Sequence, residues 1–261
     1  MHMILIAGQA GVGKTTLAKL IAKEIFEAGQ QPMLLSFAGP LKDEASRKGY
    51  SKEINPEKYR EFCQNIGATR RAEDPDFWIK KFDKKIQQVK TDEEEDIKNN
   101  EKYWERVVII DDCRYINELA YGKLYNAVSI FVSAGDRELE DKEWRQHHSE
   151  AMARSIETND DPLIDAFYDL IYNSGTIEDL EKIVKRNGCL WSGLKVGCDT
   201  NTVCGCQDCV TKRNETLPLL KDVIENLVDL LFLSELDPED EKDEDEEEDE
   251  DDLSDDSDSG W

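Results

Sequence analysis

The chain has 261 residues and a formal net charge of −26 at pH 7. Residues 235–258 contain 18 acidic residues and one lysine, a net charge of −17, which leaves −9 on the rest of the chain. Because even this remainder is acidic, the chain lacks the overall positive charge that attracts nucleic acid, and any basic site must be local. The length allows one globular domain of about 150–200 residues with appended segments.

Targeting signals are not expected. The apolar start is short and lacks a basic flank, so it does not predict a secretory signal peptide. The most apolar late stretch, residues 217–236, carries charged residues at its centre, so no membrane span is predicted. Seven cysteines, an odd number, favour a reducing compartment over a disulfide framework. We therefore expect a cytoplasmic protein, located in the host cytoplasm if it is viral.

A glycine-rich segment near the start has the spacing Gly-x4-Gly-Lys-Thr. An apolar run at 3–7 predicts a strand before it, and helical spacing over 16–26, stopped by Gly29, predicts a helix after it. This arrangement lets backbone N–H groups surround the phosphates of ATP or GTP, with Lys14 reaching the β- and γ-phosphates and Thr15 ligating Mg²⁺. We call residues 8–15 the glycine loop. The predicted nucleotide-binding residues are those of the loop and the threonine after it: Gly8, Gln9, Ala10, Gly11, Val12, Gly13, Lys14, Thr15 and Thr16.

The rest of the chain alternates between apolar runs and amphipathic or polar runs. Further strands are predicted at 33–38, 107–110, 127–132 and 169–173. Helices are predicted from Leu41, over 50–66, from Asp74 to Ile86, over 138–156 and over 177–186. Residues 90–102 are charged and lack apolar positions, which predicts an exposed extension.

This alternation predicts an α/β protein with the P-loop NTPase fold, a parallel sheet of about five strands with helices on both faces. Ligands in such folds lie at the carboxyl ends of the strands. The glycine loop, residues 37–38 and residues 111–112 are all expected at that edge. The sequence therefore predicts one crevice in which these segments meet.

Two carboxylates and an arginine follow the apolar strand at 107–110. Asp111 stands where a Walker-B carboxylate is expected, and we predict that it holds Mg²⁺ directly or through water. Asp112 either orients a second substrate or caps the following helix. Arg114 has a forked guanidinium that suits two phosphate oxygens, with a surface salt bridge as the alternative. With Lys14, these three residues form the predicted catalytic group.

Five other segments stand in a fixed order along the chain: Phe37-Ala-Gly-Pro-Leu-Lys42, Asp74-Pro-Asp-Phe-Trp78, Ile110-Asp-Asp-Cys-Arg-Tyr-Ile-Asn-Glu118, His148-Ser-Glu150 and Asn173-Ser-Gly-Thr176. With the glycine loop, this combination resembles the bacteriophage deoxynucleoside monophosphate kinases and their P-loop relatives, over about residues 3–186. The resemblance implies ATP- and Mg²⁺-dependent phosphorylation of a deoxynucleoside monophosphate. Related phage kinases phosphorylate 5-hydroxymethyluracil within DNA during thymidine hypermodification, and these segments do not separate the two acceptors.

The resemblance implies an acceptor site beside the second predicted strand, with contacts from Phe37 and Lys42. Arg70 or Arg71 is expected to bind the acceptor phosphate. Trp78 either stacks on the acceptor base or belongs to the core, as aromatic residues among apolar neighbours more often do.

Further contacts are expected from residues later in the chain. Glu118 is expected to contact the acceptor or an arginine. The resemblance also implies a lid over ATP at 135–150, with Arg145 as the residue that reaches the nucleotide and a solvated helix as the alternative. If the acceptor is a hydroxymethyl group, Asp112 or His148 would serve as a general base.

Five of the seven cysteines lie between positions 189 and 209, outside the resemblance. Cys204, Cys206 and Cys209 follow the pattern Cys-x-Cys-x-x-Cys, and Cys198 lies six residues earlier. We predict that these four bind Zn²⁺, because a segment with so few apolar residues needs a metal in place of a core. A loop of reduced thiols is the alternative.

The predicted organisation is a kinase core at 1–188, a Cys-rich segment at 189–213, an amphipathic helix at 214–236 and a disordered acidic tail at 237–261. The helix is expected to dock on the core or on a second subunit, as in a homodimer. Trp261 suggests the hypothesis that the tail anchors in a basic groove of a replication protein. Solubility alone is the alternative for the tail.

Three functions are compatible with these patterns. The first is a kinase for a free deoxynucleotide, and the second is a kinase for a base in DNA. DNA binding would need a local basic groove, and the candidates are Arg70, Arg71, Lys80, Lys81, Lys84 and Lys85. The third is a non-catalytic, nucleotide-dependent binding protein, which is less favoured because the chain lacks a guanine-selective Asn-Lys-x-Asp segment.

Overall fold

The computed structural model describes residues 1–99, 104–137, 139, 146–158 and 161–192. Within them, five strands form one sheet: β1 (His2–Ala7), β2 (Gln31–Leu35), β3 (Arg106–Cys113), β4 (Val128–Ser133) and β5 (Asp169–Tyr172). Every pairing is parallel, and the order across the sheet is β2-β3-β1-β4-β5. Pro32 is tolerated in β2 because β2 is an edge strand.

Helices connect the strands. Those in the described residues are α1 (Lys14–Glu27), α2 (Gly39–Arg47), α3 (Pro56–Glu73), α4 (Phe77–Lys98), α5 (Ile116–Leu124), α6 (Ala151–Thr158) and α7 (Ile177–Trp191). Short 3₁₀ turns occupy His148–Glu150 and Pro162–Ala166. None of these described helices combines the length and the apolar composition that a membrane span requires.

Two hydrophobic cores lie on opposite faces of the sheet, because successive side chains of a strand point to opposite sides. Ile4 and Ile6 of β1 pack with α1 and α7 on one face. Met3 and Leu5 pack with α4, α5 and α6 on the other. The central strands are buried on both faces, as in parallel sheets covered by helices. The predicted α/β architecture, a five-stranded parallel sheet with helices on both faces, is confirmed.

The strand order changes direction at β1, with β3 on one side and β4 on the other. Ligands of open α/β sheets bind beyond the carboxyl ends of the strands at such a point. The glycine loop follows β1 there, residues 36–38 follow β2, and residues 111–114 end β3 and continue past it. The topology thus brings the predicted site segments to one edge.

Residues 90–98 belong to α4 and most of their side chains are exposed or half-exposed, as predicted, but the predicted lack of buried positions is wrong at Glu93. Glu93 is buried and pairs with the amino group of Met1 at 3.0 Å. Its carboxylate also accepts from the Arg106 backbone N–H at 3.3 Å, and the Arg106 side chain pairs with Asp96 at 2.6 Å. The charge pattern misled because the partners of these carboxylates, the Met1 amino group and Arg106 of β3, are distant in the sequence.

Helix α7 continues beyond the predicted core boundary at residue 188. Trp191 is fully buried, and its indole N–H donates to Asp169 at 3.0 Å. The core therefore includes residues up to 192. Several other predictions lie outside the described residues: the lid candidate Arg145, the zinc ligands Cys198, Cys204, Cys206 and Cys209, the helix at 214–236 and the tail at 237–261.

Candidate active site

The glycine loop depends on two glycines that no other residue can replace without strain. Gly8 has φ +136°, and a Cβ there would lie 2.1 Å from the Val132 carbonyl oxygen. Gly13 has φ +103°, and its Cβ would lie 2.4 Å from the Asn173 side-chain nitrogen. That amide donates to the Val12 carbonyl at 2.8 Å. The residue after β5 thus holds the loop through a hydrogen bond, while Val132 of β4 leaves no room for a side chain at Gly8.

The first turn of α1 begins within this loop, at Lys14. Leu17 N–H donates to the Gly13 carbonyl at 2.9 Å, which makes Gly13 the N-cap. The amides of Lys14, Thr15 and Thr16 therefore belong to the helix start, where N–H groups have no acceptor within the helix and carry partial positive charge. Such a start attracts anions.

Lys14 lies over the loop rather than in solvent. Its ammonium donates to the carbonyls of Gly8 at 2.7 Å and Gln9 at 2.8 Å, and the residue is buried. Burial lowers the pKa of Lys14 to about 7, and Arg114 adds to this effect, while nearby carboxylates oppose it. A phosphate in contact with this amine would restore its charge.

Thr15 and Asp111 are in direct contact at the mouth of the loop. The Thr15 hydroxyl donates to the Asp111 carboxylate at 2.6 Å. A hydroxyl and a carboxylate are hard oxygen donors of the kind that Mg²⁺ prefers. In the described residues no cluster of three or more His, Cys, Asp or Glu side chains could hold a metal ion. Mg²⁺ in phosphate sites needs only one or two protein oxygens, so Thr15 and Asp111 fit it.

Asp112 is turned away from Thr15 and holds the turn after β2. Its carboxylate accepts from the Ser36 hydroxyl and from the backbone N–H groups of Phe37 at 2.9 Å and Ala38 at 3.2 Å. Lys42 lies 3.5 Å away and also donates to Ser36 at 2.5 Å. Asp112 therefore neither caps the helix after β3 nor is directed at the glycine loop; it fixes the turn that presents Lys42.

Phe37 and Trp78, both predicted to contact substrate, are buried. Phe37 packs against Phe82 with ring centroids 4.6 Å apart. Trp78 is 3% exposed, and its indole N–H donates to the Gly67 carbonyl at 3.3 Å. Neither ring presents a face to the crevice, so stacking on an acceptor base is not supported and the core alternative holds for Trp78.

The adjacent arginines Arg70 and Arg71 have different surroundings. The Arg71 guanidinium lies 4.2 Å from the centroid of the Tyr115 ring and 3.3 Å from Glu118. Arg70 is half-exposed on the outer surface, 3.5 Å from Glu73. Since helical neighbours point about 100° apart, only one of the pair faces the crevice. The structure assigns that position to Arg71.

Glu118 is buried beneath Arg71. It accepts from the backbone N–H groups of Arg114 at 2.7 Å and Tyr115 at 3.2 Å. Burial raises the pKa of Glu118 to about 7, against the opposing effect of Arg71. Its contacts therefore match the predicted contact with an arginine, and it supports the start of α5.

Arg114 points back toward the glycine loop. Its guanidinium pairs with Glu150, a buried residue. The other carboxylate oxygen of Glu150 accepts from the Ala10 backbone N–H at 2.7 Å. Glu150 was not among the predicted site residues, although it stands in one of the resembling segments. Its contact with Ala10 spans 140 residues, so local spacing carried no signal for it.

Two histidines line the same side of the crevice. The rings of His147 and His148 are 4.0 Å apart, and His148 lies 6.0 Å from Tyr115. Burial lowers the pKa of both imidazoles, and Arg71 lowers them further. Within the described part of the predicted lid, Arg137 reaches the loop and donates to the Gly11 carbonyl at 3.2 Å.

A cavity of about 280 Å³ opens beside Thr15 and Asp111. The turn at Ser36, the start of α2 and Lys85 of α4 complete its wall. No protein-family model and no curated protein sequence matches this chain. The assignment of a function therefore depends on the geometry of these residues.

Proposed function

We propose that the chain is a P-loop kinase that transfers the γ-phosphoryl group of ATP to a deoxynucleoside monophosphate. The observation that carries the proposal is the contact at 2.6 Å between Asp111 and Thr15, the last residue of a glycine loop whose lysine is buried. Phosphoryl transfer needs positioned positive charge more than covalent participation by the protein. The start of α1 and four basic side chains, those of Lys14, Lys42, Arg71 and Arg114, supply it.

On the donor side, Lys14 and the first amides of α1 bind the β- and γ-phosphates. Lys14 exchanges its bonds to the Gly8 and Gln9 carbonyls for phosphate oxygens. Thr15 and Asp111 would hold Mg²⁺, which would neutralise charge on the phosphates. Arg114 is close enough to influence Lys14 electrostatically, and its guanidinium suits the oxygens of the phosphoryl group in transit.

On the acceptor side, Arg71 and Lys42 bind the monophosphate. An acceptor phosphate oxygen attacks the γ-phosphorus, a new P–O bond forms, and the bond to the β,γ-bridging oxygen breaks, leaving ADP and a nucleoside diphosphate. The attacking oxygen is already ionised, so no general base is required. The two histidines therefore need no role in proton transfer.

The acidity of the chain favours a small acceptor. A net charge of −9 outside residues 235–258 repels a DNA duplex, whereas a mononucleotide needs only the local positive charge of the crevice. Of the lysines proposed for a DNA-binding groove, Lys80 is paired with Asp74 at 2.8 Å.

The test is an acceptor screen with coupled detection of ADP. Purified protein with Mg·ATP is offered each deoxynucleoside monophosphate and, separately, duplex DNA that contains 5-hydroxymethyluracil. Transfer to one or more monophosphates and not to the duplex is expected. Lys14→Ala should abolish transfer, while the matched control Lys23→Ala, an exposed lysine of the same helix, should retain it. Transfer to the duplex alone would replace the proposed acceptor, and absence of Mg·ATP binding would refute the kinase.

A further inference from the structure

Glu150 joins three parts of the crevice. It stands at the end of the 3₁₀ turn His148–Glu150, is 3% exposed, and uses both carboxylate oxygens. One oxygen accepts from the Ala10 backbone N–H of the glycine loop at 2.7 Å. The other pairs with the Arg114 guanidinium. The segment before α6 is thereby fastened both to the loop after β1 and to the residues after β3.

The two partners of Glu150 are groups that a phosphate would also recruit. A backbone N–H of a glycine loop and a guanidinium are both strong donors to anionic oxygens. One N–H cannot make full-strength hydrogen bonds to two anions at once, and a buried carboxylate beside a phosphate is repelled. A nucleotide whose phosphates bind the Ala10 N–H and the Arg114 guanidinium must therefore displace Glu150 from both groups.

We propose that Glu150 is a positioning residue that competes with the nucleotide phosphates for the Ala10 amide and for Arg114. This inference rests on the proposed kinase function. Glu150 keeps Arg114 aimed at the glycine loop and yields it as the phosphate arrives, so that one anion replaces another beside the same guanidinium. The exchange also links nucleotide binding to the segment 146–158, which carries His147, His148 and α6.

Removal of the charge tests the competition. Glu150→Gln preserves the size of the side chain but weakens its hold on both donors, because hydrogen bonds to charged groups are about twice as strong as neutral ones. We expect the Kd for Mg·ATP to fall roughly fivefold. We expect kcat to fall roughly tenfold, because Arg114 loses the partner that orients it. Substitution of a residue with only a structural role would not lower the Kd and kcat together.

Two further variants make the result decisive. Glu150→Asp retains the charge but is one methylene shorter, so it cannot span Ala10 and Arg114 together, and it should also tighten binding. It decides the question alone if Glu150→Gln does not fold. Glu178→Gln is the control, since it removes the same charge from an exposed side chain of α7. Its effect on the Kd should be less than twofold.

Isothermal titration of Mg·ATP into the full chain separates this inference from the proposed function. If the unmodified chain binds no Mg·ATP, the proposed function fails and takes the inference with it. A second outcome is that the unmodified chain binds Mg·ATP while both Glu150 variants bind it equally well or more weakly. If the only other effect of the substitutions is then a lower Tm, Glu150 has a structural role. Tighter binding by the Glu150 variants, with the Glu178 control unchanged, supports the competition.

Discussion

The Thr15 hydroxyl lies 2.6 Å from the Asp111 carboxylate, although the two residues are 96 positions apart in the chain. Neighbouring parallel strands, β1 and β3, bring them together. If the pair holds Mg²⁺, Asp111→Asn should lower kcat at least about a hundredfold, because the neutral amide is a weaker ligand. Higher Mg²⁺ should restore part of the loss. Asp92→Asn, which changes a carboxylate on α4 that accepts from Gln88, is the control. A fully active Asp111→Asn variant would contradict the metal assignment.

The lowered pKa of Lys14 predicts that nucleotide binding depends on pH. With a pKa of about 7 in the protein alone, Lys14 is mostly charged at pH 6 and mostly neutral at pH 8. Phosphates bind the charged form, so the Kd for Mg·ATP should rise roughly tenfold from pH 6 to pH 8. Binding at pH 8 should take up nearly one proton, which titrations in buffers of different ionisation enthalpy measure.

A change of residue isolates the contribution of Lys14. Arginine at this position remains charged throughout the range, so Lys14→Arg should bind with an affinity that hardly changes between pH 6 and 8. Equal pH dependence in both proteins would assign the proton to another group.

The fixed shape of the glycine loop predicts a large cost for an added methyl group. Gly8→Ala would combine φ +136° with a Cβ 2.1 Å from the Val132 carbonyl oxygen. We expect a loss of at least about 2 kcal/mol in the free energy of unfolding, measured by urea denaturation. Gly39→Ala is the control, because a Cβ at Gly39 meets nothing within 4 Å. It should change stability by less than about 0.5 kcal/mol, and comparable losses in both variants would refute the steric account.

The strand, glycine loop and helix at 2–27 were predictable because they follow from local spacing. Asp111 was also predictable in position, since it follows an apolar run. The role of Asp112 was not, because its partners Ser36, Phe37 and Ala38 lie on another strand end. The role of Glu150 was even less predictable from the sequence, because only the tertiary fold brings it to the Ala10 amide, 140 residues away.

The burial of individual side chains was the other property that the spacing of residues in the sequence could not predict. Phe37 and Trp78 stand in segments that resemble a substrate site, yet Phe37 is buried against Phe82 of α4 and Trp78 is buried with its indole N–H on the Gly67 carbonyl of α3. Conversely, Glu93 stands in a charged stretch that was expected to be solvated, yet it is buried against the Met1 amino group and the Arg106 backbone. Charge and aromaticity in a sequence describe what a residue can do, whereas its neighbours in space decide whether it does so.

The different environments of Arg70 and Arg71 predict that only one of them binds the acceptor. Arg71→Lys loses the planar contact with Tyr115 and the paired donors that suit a phosphate, so the KM for the acceptor should rise roughly tenfold. The Kd for Mg·ATP should stay within twofold. Arg70→Lys, on the outer surface beside Glu73, should change the acceptor KM less than twofold. Steady-state kinetics at saturating ATP measure both. Of the two arginines, Arg71 is the one that contacts Tyr115 and Glu118 in the crevice. Equal effects of the two substitutions would therefore indicate that the acceptor binds outside this crevice.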